Sequence, residues 1–194
     1  MCDRSTDAYW TFASAHIETS PSMRLCVILY GKVKSLQAGE FVATDRRGGT
    51  EMKRYRSSRM IRMEHLNHHG NLYAGQATEW MIETSFIVVC TEHGDPQGLL
   101  YKNTHKFDFY KSIDPGDIIT YEGVIVRAGK TSLTIRVGLY NEKTGVLHAE
   151  GFTTFVSVDE NGQSMPHGIT LDAPADKEEQ KWRDEAEVFF VVSD

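Results

Sequence analysis

Between Gln76 and about Thr91 apolar residues return every three or four positions: Ala77, Trp80, Met81, Thr84, Ile87 and Val88. That spacing predicts a helix with one buried face. The breakers in "EHGDPQG", namely Gly94, Pro96 and Gly98, stop it. Beyond them the period shortens to two. Phe107 and Phe109 alternate with Lys106, Asp108 and Tyr110, and Leu133, Ile135, Val137 and Leu139 alternate with Ser132, Thr134 and Arg136. "IITYEGVIV" and "LHAEGFTTFVSV" read as further strands, and "SSRMIRMEHL" as a short one ahead of the helix. The turns fall at "DPGD", "RAGK", "NEKTG" and "DENGQ". One helix followed by hairpin-linked strands implies an antiparallel sheet that must cover the helix, an α+β arrangement. Near the end, Asp172 is expected to cap a second amphipathic helix, with Pro174 in its first turn and Trp182, Ala186 and Phe189 on one stripe.

These signals divide the chain into an N-terminal extension (1–52), a core domain (53–171) and a C-terminal helix (172–194). The extension holds a strand-like run, Leu25 to Tyr30, among Ser, Thr, Asp and Gly, and gives no functional reading. With 40% hydrophobic residues in 194 the chain can build a packed core. The net charge of −6 argues against general nucleic-acid binding. The charge is unevenly spread, however. Arg46, Arg47, Lys53, Arg54, Arg56, Arg59 and Arg62 crowd one stretch, and the tail from Asp172 is acidic.

Cys2, Cys26 and Cys90 have no metal-site spacing, and an odd, small number of cysteines suggests reduced thiols in the cytoplasm. The start, "MCDRSTDAYW", lacks a signal-peptide pattern, and the apolar runs are far short of the ~20 residues that span a bilayer. The expectation is therefore a cytoplasmic protein with no membrane partner.

Candidate chemistry concentrates in "EHLNHHGNLYAGQATEWMIETSFIVVC", Glu64 to Cys90. His, Asn and Gly crowd ahead of an apolar run that nevertheless holds Glu79 and Glu83. A helix that only fills a core has little use for carboxylates, so each is either on a solvated edge or at work. His65, His68 and His69 have no acidic or Cys partner at ligand spacing, and no metal is expected. Neither a phosphate-binding glycine motif nor a nucleophile-elbow serine occurs.

Asn67, Gly70, "LYAG" ending at Gly75 and "EWMIE" together resemble the hotdog-fold acyl-CoA thioesterases. In that family a loop of the form Asn-x-x-Gly leads through a second glycine into a helix bearing Asp or Glu. "GDIITYEGVIVRAGKTSLTIRVGLY", Gly116 to Tyr140, looks like the family's strand pair, and "GFTTFVSVDENGQSMP" like its last strand and exit. The resemblance spans roughly residues 56 to 170. It departs at one point: many members carry the acid seven residues beyond the second glycine, where this chain has Ile82. At ~100° per residue, Glu79 is turned about 60° from that position and Glu83 about 100°. Glu79 is also nearer the positive end of the helix, so it ranks first and Glu83 second.

The resemblance implies a hotdog fold, an antiparallel sheet wrapped around a central helix. It implies thioester hydrolysis of an acyl-CoA to a free acid and CoA. A carboxylate would act as general base towards water or as a nucleophile forming an anhydride. The free amides at the helix start would hold the oxyanion, approached closely at Gly75. Asn67 would hold the water or the carbonyl. Lys130, Thr131 and Ser132, with Arg127, would bind pantetheine or phosphate. CoA belongs to the substrate, and no other cofactor is implied. The implied assembly is a homodimer, built further into a tetramer or hexamer, with sites between subunits. Two alternatives stay open: a hotdog acyl-CoA sensor without turnover, and a hotdog enoyl-CoA hydratase or dehydratase drawing on "NHHG".

Overall fold

A computed structural model of the chain describes residues 42–43 and 53–190. The strand-like run Leu25 to Tyr30, with Cys2 and Cys26, lies outside the described residues. Six strands form one fully antiparallel sheet: β1 (Val42–Ala43), β2 (Tyr55–Met60), β3 (Leu99–Phe109), β4 (Ile118–Ala128), β5 (Ser132–Asn141) and β6 (Leu147–Ser157). Their spatial order is β1-β2-β4-β5-β6-β3. A 3₁₀ turn, Met63–His65, and the long helix α1, Ala74–His93, separate β2 from β3. Helix α2, Lys177–Val188, closes the described chain.

Helix α1 lies on one face of the sheet. Ala77, Met81, Phe86, Val88 and Val89 share a core with Tyr121, Ile135, Val137, Leu139, Ala149 and Phe155. The helix comes close enough at β6 that a side chain at Gly151 would strike the Met81 sulfur and meet the Phe107 ring at 2.9 Å. From Met81 to Val89 every residue but Ile87 is buried, Glu83 included. That near-complete burial explains why a helix flanked by sheet on only one side carries so little polar surface. Leu99, and partly buried Ile169 and Leu171 after β6, join the same core. Each buried aliphatic or aromatic side chain here contributes about 1.5–3 kcal/mol of transfer free energy.

The opposite face of the sheet is largely polar. Arg54 and Arg56 of and beside β2 flank Glu122 of β4, and Arg136 of β5 pairs with Glu150 of β6. Helix α2 covers the apolar remainder, packing Trp182, Ala186 and Phe189 onto Val124, Val126 and Phe152.

The elements depart from expectation at their ends. Helix α1 runs Ala74–His93, about two residues longer at each end than its apolar spacing indicates. The C-terminal helix is capped by Asp176, not Asp172, and Pro174 lies ahead of it. The reason is local: the Asp176 carboxylate accepts the Glu179 N–H at 2.8 Å, and Glu179 turns back to accept the Ala175 N–H at 2.8 Å. Strand β3 begins at Leu99, well before its alternation is visible. Register shifts between Tyr101 and Asn103 and between Thr104 and Lys106 break its period of two. No helix among the described residues is long and apolar enough to cross a membrane.

Candidate functional site

The loop before α1 is built by its own polar residues. The Asn67 N–H donates to the Asn71 carbonyl at 2.7 Å, and the Gly70 N–H returns to the Asn67 carbonyl at 3.0 Å. The Asn67 side-chain oxygen accepts the N–H groups of His69 (2.8 Å) and Asn71 (3.3 Å). Its oxygen is therefore spent on the loop, and only its amide NH₂ is available to a ligand. The loop is fastened to the β3–β4 connection: Leu72 N–H donates to Ile113 O at 2.9 Å, and the Asn71 amide to the Asp114 carboxylate at 2.7 Å.

Tyr73 is the residue at which α1 begins, with extended backbone and no side-chain cap. Its own N–H donates to His65 O at 2.8 Å, and its carbonyl accepts the first ladder bond, from Ala77 N–H, at 3.1 Å. The N–H groups of Ala74, Gly75 and Gln76 consequently have no carbonyl within the helix to bond. They form an uncapped amide end suited to an anion or a developing oxyanion. The Tyr73 ring folds over this end. A Cβ at Gly75 would lie 2.8 Å from its Cζ and 2.9 Å from its hydroxyl. A side chain at Gly75 would have to displace this ring, which is 58% exposed and roofs the amide end.

Glu79 stands little more than one turn into α1, half-buried, accepting the Gln76 side-chain amide at 3.1 Å. Glu83 is placed differently. It is 7% exposed and ion-paired with Arg59 of β2 at 2.5 Å. The Arg59 guanidinium lies 5.1 Å from the Trp80 ring centre, and Trp80 meets His65 edge-on at 4.8 Å. Ile82, at the family's acid position, is buried in the core. His68 and His69 are exposed, ring centres 3.9 Å apart. Among the described residues no three His, Cys, Asp or Glu side chains gather at metal-binding distance.

Among the described residues each member of the basic stretch faces an acid, while Arg46 and Arg47 lie outside them. Lys53 pairs with Glu92 (2.6 Å), Arg54 and Arg56 with Glu122 (2.8 and 2.6 Å), Arg59 with Glu83, and Arg62 with Glu64 (2.7 Å). Arg127 is likewise engaged: its Nε donates to Glu187 at 3.0 Å and its guanidinium lies 3.8 Å from the Phe190 ring centre. Lys130, Thr131 and Ser132 form the tight β4–β5 turn, closed by Gly129 N–H to Ser132 O at 2.8 Å. Thr131 O also accepts the Ser157 N–H at 2.8 Å, and Ser157 meets His93 at the far end of α1. This turn is therefore a whole β4 strand away from the amide end, roughly 33 Å at 3.3 Å per residue. Within one chain the structure joins Asn67, Gly75 and Glu79 in one neighbourhood. It leaves Lys130, Thr131 and Ser132 at the other end, and engages Glu83 and Arg127 in ion pairs.

Two contributors were not among the candidates read from the sequence. Tyr73 carries a readable signal, since an aromatic directly before the Ala-Gly that opens a helix must lie over its first turn. The Arg59–Trp80 contact has none, because strand and helix residues meet only in the fold.

Residues 69–148 match the family model of the thioesterase superfamily. They include the second half of the Asn67 loop, all of α1 and strands β3, β4 and β5. The structure superposes on an apo-hexameric acyl-CoA thioesterase with a TM-score of 0.61 and 25% identity, covering 70% of this chain and 86% of that one. An acyl-CoA hydrolase from Staphylococcus aureus, bound to butyryl coenzyme A, coenzyme A and coenzyme A disulfide, gives a TM-score of 0.63 at 24% identity over 70% of this chain and 80% of the other. The acyl-CoA hydrolase from Bacillus cereus gives 0.63 at 20% identity over 71% and 84%. The fold of this chain is the hotdog fold, and its residues 69–148 are similar to the thioesterase superfamily. No curated protein matches it. As a hotdog domain it has its central helix α1 led by the Asn67 loop and wrapped by the sheet, in the arrangement expected from its loop and strand motifs.

Proposed function

We propose that the chain is an acyl-CoA thioesterase, with Glu79 as the acting carboxylate and the amide end of α1 as the oxyanion donor. The observation that carries this reading is the placement of a half-buried carboxylate little more than one turn from an uncapped helix start, in the segment that matches the superfamily. Acting as base, Glu79 takes a proton from water as the water oxygen attacks the thioester carbon. The carbonyl oxygen becomes an oxyanion near the N–H groups of Ala74 to Gln76, where one such donor is worth about 3 kcal/mol in the transition state. Collapse breaks the carbon–sulfur bond, the CoA thiolate takes up the proton, and the free acid leaves. Acting as nucleophile, Glu79 would form an anhydride that water then cleaves. Asn67 orients water or carbonyl through its NH₂.

The distance between the Lys130 turn and the amide end supports a site shared by two copies. Among the described residues strand β3 ends the sheet with one edge unpaired. A two-fold axis pairing two β3 edges antiparallel reverses one sheet relative to the other. The Lys130–Ser132 turn of one copy then comes to the same end as the Asn67 loop of its partner and can bind the pantetheine or phosphates of CoA there. A soluble homodimer, built further into a tetramer or hexamer, follows from this reading.

A second reading, binding of acyl-CoA without turnover, is favoured by Ile82 at the family's acid position and by the engagement of Glu83 with Arg59. A panel of acyl-CoAs of increasing chain length, with a thiol reagent reporting released CoA, separates the two. Release of CoA in proportion to enzyme supports hydrolysis. Saturable binding of the panel with no thiol release replaces it with the sensor reading. Light scattering on the same sample gives the assembly, and a monomer that hydrolyses overturns the shared site.

A further inference from the structure

We infer that Glu83 is a positioning residue: with Arg59 it fixes Trp80, and through Trp80 and His65 it holds the Asn67 loop and the amide end of α1 in register. This rests on the thioesterase reading above. The carboxylate is 7% exposed on the most buried stretch of α1, and its Arg59 partner reaches it across from β2 at 2.5 Å. A charge so placed needs a partner to offset its burial, and removing the carboxylate or the guanidinium breaks that pairing. The guanidinium does a second job. Its central carbon lies over the Trp80 ring at 5.1 Å, in the range where a cation and an indole attract.

Trp80 in turn is wedged between two rings, His65 at 4.8 Å and Tyr121 at 6.2 Å, both edge-on. His65 belongs to the 3₁₀ turn that leads into the Asn67 loop, and it is tied at two points. Its Nδ1 accepts the Arg62 N–H at 3.2 Å, and its carbonyl accepts the Tyr73 N–H at 2.8 Å. Tyr73 is the residue from which α1 starts and whose ring roofs Gly75. An unbroken series of contacts therefore runs from Glu83 to the amides proposed to hold the oxyanion. None of the intermediate side chains needs to touch substrate. Displacing such a frame by about 1 Å costs up to 10²-fold in rate.

The test uses the full chain and the acyl-CoA that the wild type hydrolyses fastest. Glu83→Gln keeps the shape and removes the charge; Arg59→Lys keeps the charge and removes the flat face. Each is expected to lower kcat about tenfold with KM within about threefold of wild type, and to leave the acid limb of the kcat–pH profile in place. Because the two residues act as one unit, the double variant is expected to fall no further than the worse single variant. If Glu83→Gln fails to fold, Trp80→Phe interrupts the same series while leaving the ion pair, with the same expected loss of kcat. Unchanged kcat in these variants overturns the proposal, as does an additive double variant. Abolished turnover together with loss of the acid limb in Glu83→Gln makes Glu83 the base and also overturns it. A wild type that releases no CoA removes the thioesterase reading and this proposal together, whereas an active wild type with an equally active Glu83→Gln removes only this one.

Discussion

Arg136 places its guanidinium carbon 4.0 Å from the ring centre of Trp182, joining β5 to the helix that covers the outer face of the sheet. The arginine is 1% exposed, and its Nε donates to Glu150 at 2.8 Å while Nη2 also reaches the Tyr140 hydroxyl at 3.0 Å. The charge is thus paired from β6 and covered by α2, while Nη1 is buried without a hydrogen-bond partner. Glu150→Ala is expected to leave that guanidinium buried without its carboxylate, destabilising the chain by about 3–5 kcal/mol. Replacing both partners with Met and Leu is expected to recover most of the loss, because no charge then remains buried. Urea unfolding of the three proteins checks this, and a Glu150→Ala loss no larger than that of an exposed ion pair would refute it.

The same face carries a pH dependence through Glu122. Burial alone would push its carboxyl up, but hydrogen bonds from Arg56 and Arg54 outweigh burial and hold it below the usual carboxylate range. A carboxyl lowered in the folded state contributes stability above its unfolded value, about 4.3, and loses it as pH falls through the lower folded value. Other carboxylates titrate in the same window, so the informative quantity is the difference between wild type and Glu122→Gln. That difference in urea midpoint is expected to be largest near neutral pH and to shrink below about pH 4.3. A difference that stays constant from pH 7 to pH 3 would show that the pair adds nothing through its charge.

Legibility in the sequence followed the physics of each signal. The long helix and strands β4 to β6 were readable because apolar residue types repeat at 3.6 or at 2 positions in Ala77–Val88 and Leu133–Leu139, although the fold buries most of the first stretch and all of the second. Strand β3 was half-hidden because two bulges interrupt its alternation. The second helix was expected one cap too early, since Asp172 and Asp176 are equally good caps until Glu179 chooses between them. In the candidate site, the Asn67 loop with Gly70 was legible as turn chemistry, whereas Gly75 lies within the first turn of α1. The commitments of Glu83 to Arg59 and of Arg127 to Glu187 were not, because partners 24 and 60 residues apart meet only when helix packs on strand.

Gly75 offers a separation of activity from stability. Alanine is the better helix former by about 1 kcal/mol, and the new methyl meets only the outer atoms of an exposed tyrosine ring that can swing away. Gly75→Ala is therefore expected to leave the melting temperature unchanged or slightly raised. The displaced Tyr73 ring and the methyl would then crowd the amide end, and kcat/KM is expected to fall about tenfold or more, within the range that misplacing a reacting group produces. Equal kcat/KM with equal stability would place the thioester carbonyl elsewhere.

The sharpest prediction concerns Glu79. Its neighbour Gln76 donates to it at 3.1 Å, which orients the carboxylate without neutralising it. If Glu79 accepts the proton of the attacking water, Glu79→Gln keeps size and hydrogen bonding but removes the basic oxygen. Loss of about 10²–10⁴-fold in kcat is expected, with KM little changed and the acid limb of the pH profile gone. Asn67→Ala is expected to act differently. Its side-chain oxygen holds the His69 and Asn71 amides, so the variant loosens the loop as well as removing the NH₂ donor, and KM and kcat change together. A stalled covalent acyl-enzyme trapped by rapid quenching and seen by mass spectrometry on the peptide containing Glu79 would select the anhydride route over the base route. Full activity in Glu79→Gln would exclude both routes at this residue and assign the role of acting carboxylate to another group.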